Sequence, residues 1–273
     1  SWHLSREVKK HVSVVLGGDG GDELFGGYPR YQLSLRVSMW QKLPEFVRKN
    51  FPYHLAEKIL KNRELARRLN MSSKLSRYMD LKLHDVGDAE KIFKQSYQPE
   101  LIEKYLDEKY FNEKLPTDDF EKYFMWLDTQ TWLVDHSLIR TDKTTMAFAL
   151  EERVPILDHR LVELSLKIPT KYKVDLKDTK KILKETFRED LPNYLFQQPK
   201  RGWLSPAAKW LRGELKEFAY DVLADDFCPD TKEFFDLGAA RKLLDQHISG
   251  ERYNLHLLWI LISWQLWYKK YLG

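Results

Sequence analysis

The sequence predicts a mostly α-helical domain with a residual α/β element near its amino-terminal end, and three observations predict it. The run HVSVVL at residues 11–16 is short, apolar and rich in valine, as a strand requires. Directly behind it, residues 17–28 hold six glycines and three carboxylates in the order GGDGGDELFGGY, a turn that feeds a helix. Beyond the turn, apolar residues recur at three- and four-residue spacing in 55–69, 101–110, 120–138 and 211–223, the period of amphipathic helices. No second strand is convincing. A single strand is not a sheet, so either its partners lie outside this chain or it is an isolated strand at the edge of a helical domain.

The glycine turn carries the first functional expectation. Strand, glycine turn and helix let backbone N–H groups approach phosphate oxygens, because glycine has no Cβ and accepts positive φ. Asp19, Asp22 and Glu23 would repel a bare polyphosphate, so the loop makes sense beside one only with Mg²⁺ between them. The plainer alternative is a tight turn in which Asp22 caps the next helix and Glu23 complements its dipole. Further along, 71–73 and 115–119 are polar breaks, and the second reads as a helix start capped by Asp or Thr. Residues 255–267 form the most apolar segment. It is about thirteen residues long, contains His256, Ser263 and Gln265, and falls short of the roughly twenty apolar residues that span a bilayer. It is expected to be a buried terminal helix, with Trp259, Trp264 and Trp267 anchoring it to a core or to a missing neighbour, core packing being the favoured reading.

Composition narrows the function classes. A chain of 273 residues with 43% hydrophobic content can build a substantial core. Its 45 basic and 41 acidic residues leave a net charge of +4, and the basic clusters (Lys9-Lys10, Arg67-Arg68 and 177–184) are short or interrupted. Such clusters read as solvated helix faces rather than a nucleic-acid surface. The single Cys228 excludes an internal disulfide and any multi-cysteine zinc site, and no signal peptide is visible, so a reducing cytoplasmic setting is expected, away from membranes. His-Glu-x-x-His and Gly-x-Ser-x-Gly motifs are absent, and Cys228 reads as a small surface or core residue rather than a nucleophile.

Three ordered stretches then agree on a family. GGDGGDELFGGYPRY at 17–31 resembles the signature loop in the synthetase domain of glutamine-dependent asparagine synthetases. LVDHSLIRTDKTTMAFALEERVPILDH at 133–159 is similar to that family's segment of a basic residue, an Asp, a Met-Ala pair and an Arg-x-Pro-x-Leu-Asp tail. Pro199-Lys200-Arg201-Gly202-Trp203, followed by Trp210-Leu211-Arg212-Gly213, resembles its late lysine motif. The resemblance implies the carboxy-terminal part of an adenine-nucleotide hydrolase-like (PP-loop ATP pyrophosphatase) synthetase domain. Its first phosphate loop, Ser-Gly-Gly-x-Asp-Ser, and a cysteine-initiated glutaminase would lie upstream; neither is found here. The whole chain is thus expected to be a partial synthetase domain, with 40–118 a variable helical region and weak Mg-ATP binding on its own.

The reaction implied is ATP-dependent amide formation on aspartate or a related carboxylate through an acyl-AMP, with ammonia from glutamine delivered by a glutaminase domain in cis or in trans. ATP and Mg²⁺ are the implied cofactors; a homodimer is left open. By the same resemblance, Gly18, Gly20, Gly21 and Asp22 would hold the nucleotide, with Asp22 a ligand for magnesium and pyrophosphate. Lys200 would reach the α-phosphate as a compact point charge. Asp19 stands at the mouth of the acyl-adenylate site, where it could take a proton from ammonia or orient the substrate amine. Gly17 departs from the serine expected there, Arg140 stands where lysine is usual, and Thr145 replaces a serine, which leaves the acceptor open. Glu23, Arg140, Asp142 and Arg153 are support or substrate candidates, and Arg140, Asp142, Glu151, Arg153 and Asp158 are expected to form a buried ion network beneath the site. The rival reading is a helical interaction or regulatory module that kept the fold and lost the chemistry; retention of Asp22 and Lys200 favours an enzyme.

Overall fold

The apolar run near the amino-terminal end does form a strand, and its partner lies within the chain. The computed structural model describes residues 1–51, 69, 77–78, 92–94, 104–105, 108–109, 119–197 and 206–273. Helix α1 (Trp2–Val8) leads into β1 (Val14–Leu16), and β2 (Glu151–Arg153) pairs with β1 in parallel. Val14 stands opposite Glu151, Val15 opposite Glu152 and Leu16 opposite Arg153. The expectation of a lone strand is therefore corrected. β2 reads Glu-Glu-Arg, without an apolar residue, so hydrophobic periodicity could not reveal it. Its ladder is extended at both ends: the Glu151 amide donates to the Ser13 carbonyl at 3.0 Å and the Gly17 amide to the Arg153 carbonyl at 2.8 Å.

The chain divides into two compact units, Ser1–Tyr78 with Asp107–Lys200, and Met79–Leu106 with Arg201–Gly273. Most of the expected variable region 40–118, including the helices expected at 55–69 and 101–110, lies outside the described residues.

In the first unit the glycine loop leads through α2 (Gly21–Phe25) to α3 (Pro29–Gln41), whose Pro29 occupies a first-turn position where no amide is needed. A short α4 (Glu45–Lys49) follows. Helix α5 (Phe120–Gln130) starts at the expected break, with the Asp119 carboxylate accepting from the Lys122 amide at 3.1 Å. The periodic stretch 120–138 is not one regular helix. Leu133–Leu138 adopts π-helical geometry before α6 (Ile139–Met146), and one extra residue in a turn rotates all that follows by about 100°. Helices α7 (His159–Lys167), α8 (Thr170–Lys173), α9 (Lys181–Thr186) and α10 (Asn193–Gln197) complete the unit. Its core sets the rings of Tyr31 and Tyr78 edge-on to Phe124, with centroids 5.3 and 5.0 Å apart.

The second unit packs α11 (Ala207–Arg212), α12 (Lys216–Val222), α13 (Leu237–Ser249) and α14 (Leu255–Tyr271) around Leu211, Val222, Leu244, Leu258 and Leu261. The stretch 211–223 is thus two helices, parted around Gly213. His247, fully buried, fastens the unit: its Nδ1 accepts from the Asn254 amide at 3.2 Å, which leaves Nε2 to donate to the Ala208 carbonyl at 3.3 Å. Cys228 is a buried core residue. The terminal helix forms as expected, but only one side of it is buried. Trp264 packs against the core, whereas Trp259 and Trp267 are 41% and 49% exposed and anchor nothing there. No helix among the described residues is long and apolar enough to cross a membrane.

Lys173 at the end of α8 gives a test of the packing. It is 2% exposed, and burial, with the charge of Lys122 adding to it, lowers its ammonium from the ordinary 10.5 to about 8. Between those values the unfolded chain binds more protons than the folded one, so stability rises with pH through that window and the penalty is fully present below pH 8. Lys173→Met is expected to raise stability at pH 7 by about 3 kcal/mol and to flatten that rise, as read by urea unfolding across the pH range. A variant with unchanged neutral stability would show that the ammonium is solvated after all.

Candidate active site

The loop between β1 and α3 is shaped by what glycine permits. Gly20 has φ of +86°, and a Cβ on it would lie 2.2 Å from Leu157 Cδ2, so the turn into α2 excludes any other residue without rearrangement. Gly20 takes the N-cap position of α2 and no side chain caps this helix. The plainer expectation that Asp22 caps it is corrected, since Asp22 lies in the first turn with its carboxylate turned elsewhere.

That carboxylate meets Lys180. Nζ of Lys180 lies 2.7 Å from Asp22 Oδ1, with the two side chains 31% and 17% exposed. Gly27 leaves room for the pair, because a Cβ there would fall 2.0 Å from Asp22 Oδ1 and 2.4 Å from Lys180 Cε. Lys180 reaches the loop from a left-handed backbone conformation (φ 53°), which costs a residue with a side chain about 1 kcal/mol or more. Its neighbours hold the segment down: Lys181 pairs with Asp175 at 2.5 Å and Lys184 with Asp178. The lysine-rich run 177–184, expected to be solvated, is thus folded onto acidic partners. Lys180 was not distinguishable in the sequence, where nothing in the local spacing separates it from Lys177, Lys181 and Lys184.

Asp19 lies at the other end of the loop. Ser137 Oγ donates to its Oδ1 at 2.5 Å and Thr141 Oγ1 to its Oδ2 at 3.4 Å. Ser137 sits in the π-helical turn and Thr141 in α6, so the change of helical register brings both hydroxyls to one carboxylate. Beside Gly18 the space is open, with nothing within 4 Å of where a Cβ would stand.

Beneath the loop lies a buried polar layer. Glu23, 2% exposed, accepts from the Tyr28 hydroxyl at 2.7 Å, and the Trp132 indole N–H donates to that hydroxyl at 3.3 Å. Burial pushes the Glu23 carboxyl above its ordinary range, opposed by the Tyr28 bond, and burial together with the Glu23 charge pushes the Tyr28 phenol up. Arg30 lies over the Tyr28 ring at 3.9 Å and donates to Asp128 Oδ2 through Nη2 at 2.7 Å and Nε at 3.2 Å. Tyr31 donates to the same oxygen at 2.6 Å.

The structure therefore brings Gly18, Asp19, Gly20, Gly21 and Asp22 into one loop and sets Glu23 inward as its support. Arg140 and Asp142 are exposed on α6. Arg153 pairs with Glu151 at 2.8 Å on the surface, and Asp158 caps α7 and pairs with Arg160 at 2.9 Å, which holds its carboxyl down to about 2. The expected buried network of Arg140, Asp142, Glu151, Arg153 and Asp158 does not form; the buried carboxylates among the described residues are Glu23, Glu121 and Asp128 instead. Lys200 and the stretch 199–203 around it lie outside the described residues, while Trp210-Leu211-Arg212 ends α11. Among the described residues no group of three or more His, Cys, Asp or Glu side chains is arranged to hold a metal.

These features define a mostly helical protein with a glycine-rich strand-to-helix loop, in which one carboxylate is held by hydroxyls and another by a lysine from a distant segment. The chain belongs to the asparagine synthase family, whose model matches residues 1–269. It is 28% identical over 278 residues to asparagine synthetase [glutamine-hydrolyzing] 1 of Bacillus subtilis (strain 168), covering 98% of this chain and 42% of the relative. It is 28% identical over 269 residues to a putative asparagine synthetase [glutamine-hydrolyzing] of Mycobacterium bovis, covering 97% and 40%. The asparagine synthetase [glutamine-hydrolyzing] of Mesocricetus auratus is 26% identical over 190 residues, covering 63% and 32%. The chain thus spans about two fifths of the length of the first two. No solved structure matches it.

The two ion pairs of the site region should differ sharply in weight. Asp128→Ala strands the largely buried Arg30 and is expected to lower stability by about 3–5 kcal/mol. Asp22→Asn, at a partly solvated pair, should lower it by less than about 1 kcal/mol. Urea midpoints of the two variants give the comparison, and equal losses would mean that the loop, not the layer below it, carries the packing.

Proposed function

We propose that this chain is the amide-forming part of an ATP-dependent carbon–nitrogen ligase acting on aspartate or a related carboxylate. The observation that carries the reading is the loop itself: within a family match to residues 1–269, the carboxylate at position 22 is neutralised by Lys180 and the glycine face at Gly18 is open. In the proposed reaction an acceptor carboxylate oxygen attacks the α-phosphorus of ATP, the bond to the bridging oxygen breaks, and pyrophosphate leaves. Ammonia then attacks the acyl carbon of the acyl-AMP, the bond to AMP breaks, and nitrogen loses a proton.

Each step gathers negative charge that fixed cations can meet without reorganisation. Lys180, held beside the loop, is the countercharge for pyrophosphate, and Lys200 is assigned to the α-phosphate. Asp19 orients the incoming nitrogen or accepts its proton at a carboxylate oxygen not taken by Ser137 and Thr141. Magnesium takes one or two protein carboxylates and fills its shell with phosphate oxygens and water, so the single carboxylate of Asp22 suits it; bound there, the ion would neutralise phosphate charge.

We further infer that β1 and β2 are two strands of a larger parallel sheet of the PP-loop ATP pyrophosphatase type, completed by residues outside this chain. Parallel sheets are covered on both faces, whereas Leu16 at the end of β1 is 74% exposed. The first phosphate loop and a glutaminase domain that releases ammonia from glutamine, in cis or in trans, are assigned to that remainder. The cytoplasmic setting is part of the same proposal.

The protein carrying this chain, given ATP, magnesium, aspartate and ammonia, is expected to release AMP and pyrophosphate rather than ADP, as read by ³¹P NMR. Lys180→Ala and Lys200→Ala should each lower that turnover by about a hundredfold or more, the scale seen when a transition-state charge partner is lost. ADP formation, or unchanged turnover in both variants, would defeat the proposal.

A further inference from the structure

A second carboxyl stands at the mouth of the loop, on a strand whose sequence gave no sign of it. Glu152 is the middle residue of β2, paired with Val15. A Cβ on Gly17 would lie 1.8 Å from Glu152 Oε1, 2.7 Å from its Cδ and 3.1 Å from its Cγ, so a side chain on residue 17 and the Glu152 carboxyl claim the same volume. The carboxyl also meets Asp19 within hydrogen-bonding reach.

We propose that Glu152 is the positioning residue of this loop: its carboxyl takes the place of a side chain at position 17 and, with Ser137 and Thr141, fixes Asp19. The role assigned rests on Asp19 lining the acceptor site of an amide-forming ligase, as proposed above. Glu152 acts through Asp19 and is not assigned a contact with the reacting atoms.

Two ionised carboxylates have only acceptors to offer one another, so so close an approach calls for one proton between them. Burial, then the charge and hydrogen bond of Asp19, pushes the Glu152 carboxyl above its ordinary range, the direction that a proton shared with Asp19 requires. Among the described residues no cation pairs with either carboxyl to reverse this. The π-helical turn and α6 offer the hydroxyls of Ser137 and Thr141 to Asp19, Arg153 and Glu151 pair with each other, and Lys9 donates to the Ala149 carbonyl at 2.8 Å. With that proton in place, Glu152 would join Ser137 and Thr141 as a third O–H donor to one carboxylate that has about four lone-pair positions. What remains is narrow: a place for one N–H, approached from one direction.

A double-mutant cycle tests this in the protein carrying the chain, with AMP release as the readout. Gly17→Ser should evict Glu152 and lower kcat about tenfold or more, and Glu152→Ala should do the same, since small displacements of an orienting group are costly. The double variant should be no worse than either single one, because both lose the same contact. Glu152→Gln, which keeps the shape and can donate to Asp19, should restore most of kcat while altering the acid side of the pH profile. Additive losses in the cycle would overturn the proposal.

A second measurement separates it from the catalytic reading. In chain labelled with ¹³C at Glu carboxyls, Glu152 should titrate above the exposed glutamates and move down toward their range in Asp19→Asn. That outcome supports the pairing even if no AMP is formed, in which case the catalytic reading alone falls; an ordinary titration of Glu152 overturns the pairing whatever the activity.

Discussion

The charge of Asp128 is the constraint on which the first unit depends. It has no exposed surface, and an unpaired carboxylate in that position would cost several kcal/mol. Its partners are Arg30 and Tyr31 from α3, with Tyr78 donating to its other oxygen at 3.3 Å. Because Arg30 must reach Asp128, the first turn of α3 is fixed against α5. Arg30 then carries the Tyr28 ring beneath its guanidinium, and Tyr28 holds Glu23 at the base of α2. A single buried charge on α5 thus sets the inner wall of the glycine loop. Glu121 repeats the device further along the same two helices, accepting from Ser34 at 2.8 Å and Ser38 at 2.6 Å, with Arg77 at 3.8 Å. Two acceptors on one helix answered by donors on the other define the register of α3 on α5 more tightly than apolar contact alone, because each displaced donor would leave a buried charge unsatisfied.

The outer wall of the loop is made differently. β1 and β2 place residues 17 and 152 side by side, the π-helical turn swings Ser137 toward Asp19, and the left-handed Lys180 closes over Asp22. None of these contacts is deep in the core. They are held by backbone geometry that is unfavourable in isolation, a positive φ at Lys180 and a register change in a helix, and by a turn at Gly20 that only glycine takes readily. Such features persist where surrounding packing over-determines them, and here the well-anchored layer below provides that support.

How much of this was legible in the sequence follows from where each signal resides. The strand, the loop and the Asp119 cap were readable because they depend on local chemistry: β-branched residues, glycines, and a short acceptor before an apolar helix. Those same local rules missed the break inside 211–223 and passed over the π-helical turn, since a one-residue shift barely disturbs a three- to four-residue period. β2 was hidden because its three residues are charged and its only qualification for a strand is that β1 lies beside it. Lys180 was hidden in a run of lysines, and Asp128 looked like any polar residue in an amphipathic helix. The buried ion network was expected from the wrong set, Arg140, Asp142, Glu151, Arg153 and Asp158, because mixed charges close in sequence say nothing about which of them face inward.

The loop keeps its two outer carboxylates, three residues apart, in different company, and that separation is the physical basis for giving them different work. Asp22 is matched by a full positive charge at 2.7 Å, an arrangement that tolerates arriving phosphate charge because the lysine is already present. Asp19 has hydroxyls and a second carboxyl around it and no cation among its described contacts, so it suits a donor that arrives with its own hydrogen. In the proposed reaction, exchanging the two environments would fail on both sides: a lysine beside Asp19 would occupy the oxygen proposed for the incoming ammonia, and hydroxyls alone beside Asp22 would leave the proposed pyrophosphate facing an uncompensated carboxylate. The glycines make the division workable. Gly17 yields its side-chain volume to Glu152, and Gly27 yields its own to the Asp22–Lys180 pair, so within one short loop each carboxylate gains its partner from a different distant segment.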